Sequence, residues 1–106
     1  MTDLYVGVDV SKENLDVATS DGTSLRVSND EAGQQQLVAR FSAPAPTLVL
    51  MEATGGLERA IAAQLSAAGI ALRIINARQV RHFAKATGLL AKTDRLDAEA
   101  LVRFAQ

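Results

Sequence analysis

The chain has 106 residues, 48% of them hydrophobic, which is typical of one compact domain with a buried core. Its 11 basic and 12 acidic side chains give a formal net charge of −1, so total charge favours neither a nucleic acid nor a membrane as partner. The absence of cysteine excludes disulfides, thiolate zinc sites and cysteine nucleophiles, and a single histidine, His82, argues against a histidine-rich metal site.

The sequence contains neither a membrane-spanning run nor a signal peptide. No apolar run approaches the ~20 residues of a membrane-spanning helix, and the first residues lack the basic start and apolar core of a signal peptide, so we expect a cytoplasmic protein. Between Arg73 and Arg103 there are seven basic and three acidic residues, which makes the last third of the chain locally basic.

The first part of the chain predicts three strands joined by tight turns. "LYVGVDV" (4–10) alternates in the manner of a strand, and "LDVATS" (15–20) and "SLRVS" (24–28) follow after short polar turns. "DGT" (21–23) is a hairpin signal. Strands connected this closely predict an antiparallel meander.

A helix and a buried strand are predicted next. Ser28 and Glu31 have the spacing of a capping box, which predicts a helix from about Asp30 to Phe41. "TLVLMEA" (47–53) is a nearly continuous apolar run, as expected of a strand buried on both faces of a sheet.

The rest of the chain predicts three helices and one more strand. A helix over 57–68 ends at Gly69, "IALRII" (70–75) predicts another short buried strand, and helices follow over about 77–87 and from 94. The inner face of helix 57–68 is predicted to contain Leu57, Ala60, Ile61, Leu65 and Ala68. The order β-β-β-α-β-α-β-α-α predicts an α/β fold of the ribonuclease-H-like kind, a mixed sheet with helices on its faces.

Two acidic residues occupy unusual positions in predicted strands. Asp9 lies inside the most hydrophobic part of the first strand, and Glu52 ends a strand with no other polar residue after Thr47. A buried carboxylate needs partners, and α/β proteins commonly place their chemistry at the carboxyl ends of central strands. Taken singly, Asp9 is more simply explained as a cap of the following turn, and Glu52 is as well explained by a strand end that reaches solvent.

A second pair of acids lies in "AKTDRLDAEAL" (91–101). Asp94 and Asp97 have the spacing of an N-cap and an N3 residue, which favours an ordinary helix start. On a helical wheel both also align with Leu101 and the apolar stripe, which predicts that both carboxylates point towards the sheet, about 5–6 Å apart. Four inward-facing carboxylates would repel one another without a cation, and oxygen-only ligation selects Mg²⁺ or Mn²⁺. Two such ions ~4 Å apart can activate an attacking oxygen and stabilise a leaving oxygen during phosphoryl transfer.

The sequence also resembles a known family. The resemblance is to the N-terminal domain of the DEDD-type insertion-sequence transposases, the "one-ten" insertion-sequence family, which is related to the Piv-type DNA invertases. It extends from about Leu4 to Phe104 and is carried by "GVDVSKENLDVA" (7–18), "MEATGG" (51–56) and "AKTDRLDAEALV" (91–102). It implies a RuvC-like fold of the ribonuclease-H type, with an acidic tetrad that binds divalent metal. Carried over residue by residue, the tetrad falls on Asp9, Glu52, Asp94 and Asp97.

The resemblance further implies DNA strand cleavage and transfer guided by a structured bridge RNA, and a second, C-terminal domain with a serine that takes part in cleavage. The chain stops inside a predicted helix, so we expect residues 1–106 to be a fragment without that domain, inactive by itself, from a homo-oligomeric protein. Ser11 is not assigned the serine's role. Many relatives have Asn-Pro after the last strand, where this chain has Asn76-Ala77, and this difference leaves the tetrad intact.

Basic residues supply the predicted nucleic-acid contacts. One stripe of the predicted helix 77–87 is basic and includes His82, and without context a solvated face explains it best. Beside a metal–carboxylate site the stripe becomes a candidate track for backbone phosphates, and His82 is expected to lie at the surface or contact phosphate rather than bind metal. The predicted contacts are Lys12, Arg78, Arg81, Lys85, Lys92 and Arg95.

Two other classes of protein remain open. A nucleotide-binding domain of the actin and sugar-kinase type also begins with a hairpin that carries an aspartate, but it needs a Gly/Thr-rich phosphate loop, and "DVSKEN" (9–14) has no glycine. A non-catalytic nucleic-acid-binding or oligomerisation module would use the same acids only for structure. Binding of Mg²⁺ or Mn²⁺ that depends on Asp9 and Asp97 distinguishes the metal site from the non-catalytic module, and ATP binding in the same assay would favour the nucleotide-binding domain.

Overall fold

The architecture is a five-stranded mixed sheet with helices on both faces. It was obtained as a computed structural model, which describes residues 3–76 and 97–106. The strand order is β3-β2-β1-β4-β5, with antiparallel β1–β2 and β2–β3 pairs and parallel β1–β4 and β4–β5 pairs. The strands are β1 Tyr5–Val10, β2 Asn14–Thr19, β3 Ser24–Ser28, β4 Leu48–Glu52 and β5 Leu72–Ile75, and the helices are α1 Glu31–Arg40, α2 Arg59–Ala67 and α3 Ala98–Ala105.

This architecture is compatible with the predicted ribonuclease-H-like fold. The antiparallel meander is confirmed, and Gly22 at its second turn has a φ of 92°, which glycine adopts without steric cost. The predicted helix over 77–87 and the predicted helix start at 94 lie outside the described residues. Within the described part of the chain, no helix is long and apolar enough to cross a membrane.

The main core lies between the sheet and helices α1 and α2. Successive side chains of a strand point to opposite faces, so the fully buried Val6 and Val8 share one face of β1. Leu37 of α1 and Ile61 and Leu65 of α2 pack in the same cluster. Apolar burial on this face therefore holds two helices against three strands.

Helix α3 covers the opposite face and crosses it at very short range. A Cβ atom added to Gly7 of β1 would lie 2.2 Å from the Ala98 carbonyl oxygen and 2.9 Å from Leu101 Cβ, so only glycine allows this approach. Leu101 is fully buried with Leu50 of β4. Ala98 and Leu101 therefore face the core, as the apolar stripe of the predicted helix requires.

The predictions for the cap of α1 and for the burial of β5 were wrong. Helix α1 is capped by Asp30, whose Oδ1 accepts the Gly33 N–H at 2.9 Å, and not by Ser28, whose hydroxyl instead donates to Asp30. Strand β5 is the outer strand of the described sheet rather than a fully buried one, because Arg73 and Ile74 are exposed.

The helix predicted over 57–68 begins only at Arg59, because Gly55 and Gly56 adopt positive φ values of 74° and 111° that a helix does not contain. Leu57, predicted on the inner face, is therefore 41% exposed in the preceding loop. The exposed Ala60 and Ala68 were also predicted on that face. Ala62 takes an inner place beside Ile61.

Candidate functional site

Two of the four predicted tetrad acids lie on neighbouring parallel strands. Strand β1 pairs with β4 so that Val8 is opposite Met51, and the next residues along the two strands are Asp9 and Glu52. Glu52 is opposite Ile75 of β5, whose side chain packs in the cluster beneath α3. The register therefore places Asp9 and Glu52 side by side on the α3 face, at the carboxyl ends of the central strands, and both are half-buried.

Asp97 caps helix α3 and does not lie inside it. Its backbone is extended, with φ −92° and ψ 177°, and its Oδ1 accepts the Ala100 N–H at 2.8 Å. The prediction that Asp97 occupies the N3 position is therefore wrong, because its carboxylate satisfies one of the N–H groups that a helix start leaves without a partner. Asp97 is exposed, and Asp94, the predicted N-cap, lies outside the described residues.

A groove of about 520 Å³ brings Asp97 and Asp9 together. It runs between the start of α3 and strands β1 to β3, and Glu52 is not among its lining residues. Four carboxylates line it, and Arg26 is the one basic residue among the described lining residues. The acidic lining residues are Asp9, Asp16, Asp97 and Glu99.

These residues are chemically suited to a divalent cation but do not form a complete site by themselves. Carboxylate oxygens are the ligands that Mg²⁺ and Mn²⁺ prefer. Within residues 3–76 and 97–106, however, no group of three or more His, Cys, Asp or Glu side chains is placed to hold a metal ion. The metal site formed by the tetrad of Asp9, Glu52, Asp94 and Asp97 therefore stays a prediction, and Asp94 lies outside the described residues.

Asp16 and Arg26 are groove residues that the sequence reasoning missed. Asp16 of β2 lies directly opposite Asp9 of β1, and Arg26 of β3 lies directly opposite Asp16, so the three form a row across the sheet. Arg26 Nε is 2.6 Å from Asp16 Oδ1, and Nη2 is 3.2 Å from Oδ2. A signal was available, since Asp16 lies between Leu15 and Val17 in its strand just as Asp9 lies between Val8 and Val10.

Asn29 connects the two loops that follow Asp9 and Glu52. Its Nδ2 donates to the Ser11 carbonyl at 2.9 Å, just after β1, and to the Leu57 carbonyl at 3.5 Å, in the loop after β4. Its Oδ1 accepts from Gln34 of α1 at 3.0 Å. These bonds fix the spacing of the two strand ends that carry the acids.

Glu58 organises the loop after Glu52. Its Oε1 accepts the Thr54 N–H at 2.9 Å, the Thr54 hydroxyl at 3.0 Å and the Gly56 N–H at 3.1 Å. Hydrogen bonds from backbone N–H groups, that of Thr54 first, lower the pKa of Glu58 to about 2. Glu58 is 8% exposed, and nothing in the sequence reasoning singled it out.

The predicted basic contacts are mostly outside the described residues. Lys12 is exposed in the turn that follows β1, two residues after Val10. The remaining five, Arg78, Arg81, Lys85, Lys92 and Arg95, lie in the part of the chain that the structure does not describe, as does His82.

Fold and groove together define a class of protein. The carboxyl ends of the central strands of an α/β sheet are a common place for chemistry, and here they carry two acids, one of which shares a groove with a third acid from the start of a helix. The family model of the DEDD IS110 transposases matches residues 6–106. The chain therefore belongs to this transposase family, as the sequence motifs predicted. None of the curated proteins that were compared with the chain matches it.

Proposed function

We propose that this chain is the metal-binding catalytic domain of a DNA transposase, in which Asp9, Glu52, Asp94 and Asp97 hold divalent cations for DNA strand cleavage and transfer. One observation carries the proposal: Asp9 and Asp97, which are far apart in sequence, line the same groove in a member of a transposase family. Family membership also favours this function over the nucleotide-binding alternative.

The described residues have distinct tasks in this proposal. Asp9 and Glu52 provide carboxylates on adjacent strands whose register is fixed by the sheet, and Asp97 provides one from the start of α3. Divalent cations bound there supply charge neutralisation and Lewis acidity for phosphoryl transfer. Asn29 and Glu58 hold the loops at the strand ends, so the carboxylates are arranged before the substrate arrives.

Nucleic-acid binding is the second part of the proposal. The DNA substrate and a bridge RNA that guides it would contact the protein through backbone phosphates, at Lys12 and at Arg78, Arg81, Lys85, Lys92 and Arg95. Aromatic residues make up only 4% of the chain, so base stacking contributes little, and contacts to the backbone dominate. The guide and the substrate therefore supply the sequence specificity that this domain lacks.

The decisive experiment separates capping by Asp97 from metal binding. Asparagine caps helices about as well as aspartate, so Asp97→Asn retains the bond to Ala100 while it removes a charge. The matched control is Asp30→Asn, which changes the N-cap of α1 on the opposite face of the sheet in the same way. Mn²⁺ binding is measured by isothermal titration, and stability by chemical denaturation.

We expect both variants to keep nearly the stability of the wild type, since each retains a good cap. Asp97→Asn should weaken Mn²⁺ binding at least tenfold, Asp9→Asn and Glu52→Gln should do the same, and Asp30→Asn should have no effect. Equal Mn²⁺ affinity in the wild type and in all three site variants would contradict the proposal.

A further inference from the structure

We propose that Arg26, oriented by Asp16, binds a backbone phosphate of the nucleic-acid strand whose reacting phosphate lies at Asp9 and Asp97. This inference rests on the proposed function and extends it to two residues that carry no role so far. It assigns the strand β3 side of the groove to phosphate and the α3 side to the cations.

The geometry of the ion pair leaves Arg26 available to a ligand. A guanidinium has five N–H donors in a rigid plane, and the two contacts to Asp16 use the Nε and Nη2 side of that plane. The Nη1 end lies outside the pair, and the Arg26 side chain is 65% exposed. Arg26 can therefore donate to a phosphate without leaving Asp16, which fixes the direction of its guanidinium.

Arg26 also lies at a suitable distance from the acids. The three strands place Asp9, Asp16 and Arg26 as consecutive partners. Neighbouring strands are about 4.8 Å apart, so the Arg26 backbone lies roughly 10 Å from the Asp9 backbone. A nucleic-acid strand has one phosphate per ~3.4 Å of duplex axis. The phosphate at Arg26 is thus within about three nucleotides of the one at Asp9.

Charge determines which end of the groove holds phosphate. The described lining residues include four carboxylates, which would repel a polyanion unless cations neutralise them. Arg26 is the one basic side chain among the described lining residues, and a planar guanidinium matches the oxygens of a phosphate. As an exposed cross-strand pair, Arg26–Asp16 contributes little to stability, because solvent screens the two charges.

The test measures binding of fluorescently labelled single-stranded DNA and single-stranded RNA of the same sequence. Fluorescence anisotropy is recorded over a range of salt concentrations with Ca²⁺ present, for Arg26→Ala, Arg26→Lys and the wild type. Arg40→Ala is the matched control, because it removes the same charge from α1 on the opposite face. Circular dichroism confirms that each variant is folded.

We expect Arg26→Ala to weaken binding at least fivefold and to reduce the salt slope by about 0.7, the value for one phosphate contact on a single strand. Arg26→Lys should be intermediate, and Arg40→Ala should stay within twofold of the wild type. The larger loss, on DNA or on RNA, identifies the strand that Arg26 holds. Equal affinities of Arg26→Ala and Arg40→Ala, or no binding by the wild type, would overturn the proposal.

Asp16→Asn tests the orienting role. It removes a negative charge from the groove, so charge alone would strengthen binding, whereas loss of the carboxylate that directs Arg26 weakens it. We expect at least threefold weaker binding, and unchanged or tighter binding would overturn the role of Asp16. Failure of the metal site is recognised separately, because Mn²⁺ titration of Asp9→Asn and Asp97→Asn does not involve Arg26.

Discussion

Asp97 illustrates how one carboxylate can serve a helix and a site together. Its Oδ1 accepts the Ala100 N–H, which leaves Oδ2 and the second lone pair of Oδ1 outside the cap. The cap also fixes the side chain along the groove that Asp9 lines. Capping and metal binding are therefore compatible at this residue, and Asp97→Asn separates them.

At the same scale, Glu58 makes the loop beside Glu52 sensitive to acid. Its pKa is lowered to about 2 in the folded chain from an ordinary value of 4.5. A lowered folded pKa contributes stability that is fully present above pH ~4.5 and is lost as pH falls towards 2. We expect the wild type to lose about 2–3 kcal/mol more than Glu58→Gln across this range, in urea denaturation at a series of pH values. Parallel pH profiles of the two proteins would contradict this.

At the scale of elements, the contact between α3 and β1 determines where Asp97 lies. Gly7 brings the backbone of α3 against the strand, and Ala98, which follows Asp97, is the residue in contact. The helix start is thereby held over the strand that carries Asp9. The glycine in "GVDV" thus has a positioning role, two residues before the acid.

Gly7→Ala should damage stability and site together. The added methyl group would meet the Ala98 carbonyl oxygen at 2.2 Å, so α3 must move away from β1, at a cost of about 1–3 kcal/mol or more. We expect Mn²⁺ affinity to fall with it, measured by titration beside chemical denaturation.

Gly22→Ala is the control for this prediction. It strains a turn with φ of 92° but meets no atom within 4 Å, so it should reduce stability and leave Mn²⁺ affinity intact. If Gly7→Ala lowered stability and retained full Mn²⁺ affinity, the contact would be structural only.

At the scale of the whole molecule, metal binding should stabilise the fold. A ligand that binds only the folded state contributes about 2.7 kcal/mol at 100 times its Kd, roughly 10 °C in Tm for a domain of this size. We expect such a rise for the wild type in Mn²⁺ and none for Asp9→Asn, in thermal unfolding followed by circular dichroism. Mg²⁺ should act like Mn²⁺, and a rise of the same size in Asp9→Asn would assign the binding to another part of the chain.

Most secondary-structure elements could be predicted from local sequence patterns. The meander, β4, α1 and the apolar stripe of α3 follow from alternation and from turn residues, which are local properties of the chain. The predicted start of α2 was wrong because Gly55 and Gly56 turn the chain, and the Glu58 carboxylate accepts a hydrogen bond from Gly56 in that turn. The predicted cap of α1 was wrong because Asp30, two residues after Ser28, is also a suitable N-cap residue, and spacing alone does not decide between the two.

The sequence by itself determined the α/β class of fold and the transposase family, and it predicted the four acids on which the proposal depends, because burial pattern and motif spacing are properties of the chain itself. Only the tertiary structure decided that Asp9 and Asp97 share a groove, and that Asp16 and Arg26 belong to it. The row of Asp9, Asp16 and Arg26 across the sheet depends on strand register, and the approach of α3 to β1 depends on the absence of a side chain at Gly7. Both depend on how separate elements pair and pack, which the pattern within one element does not determine.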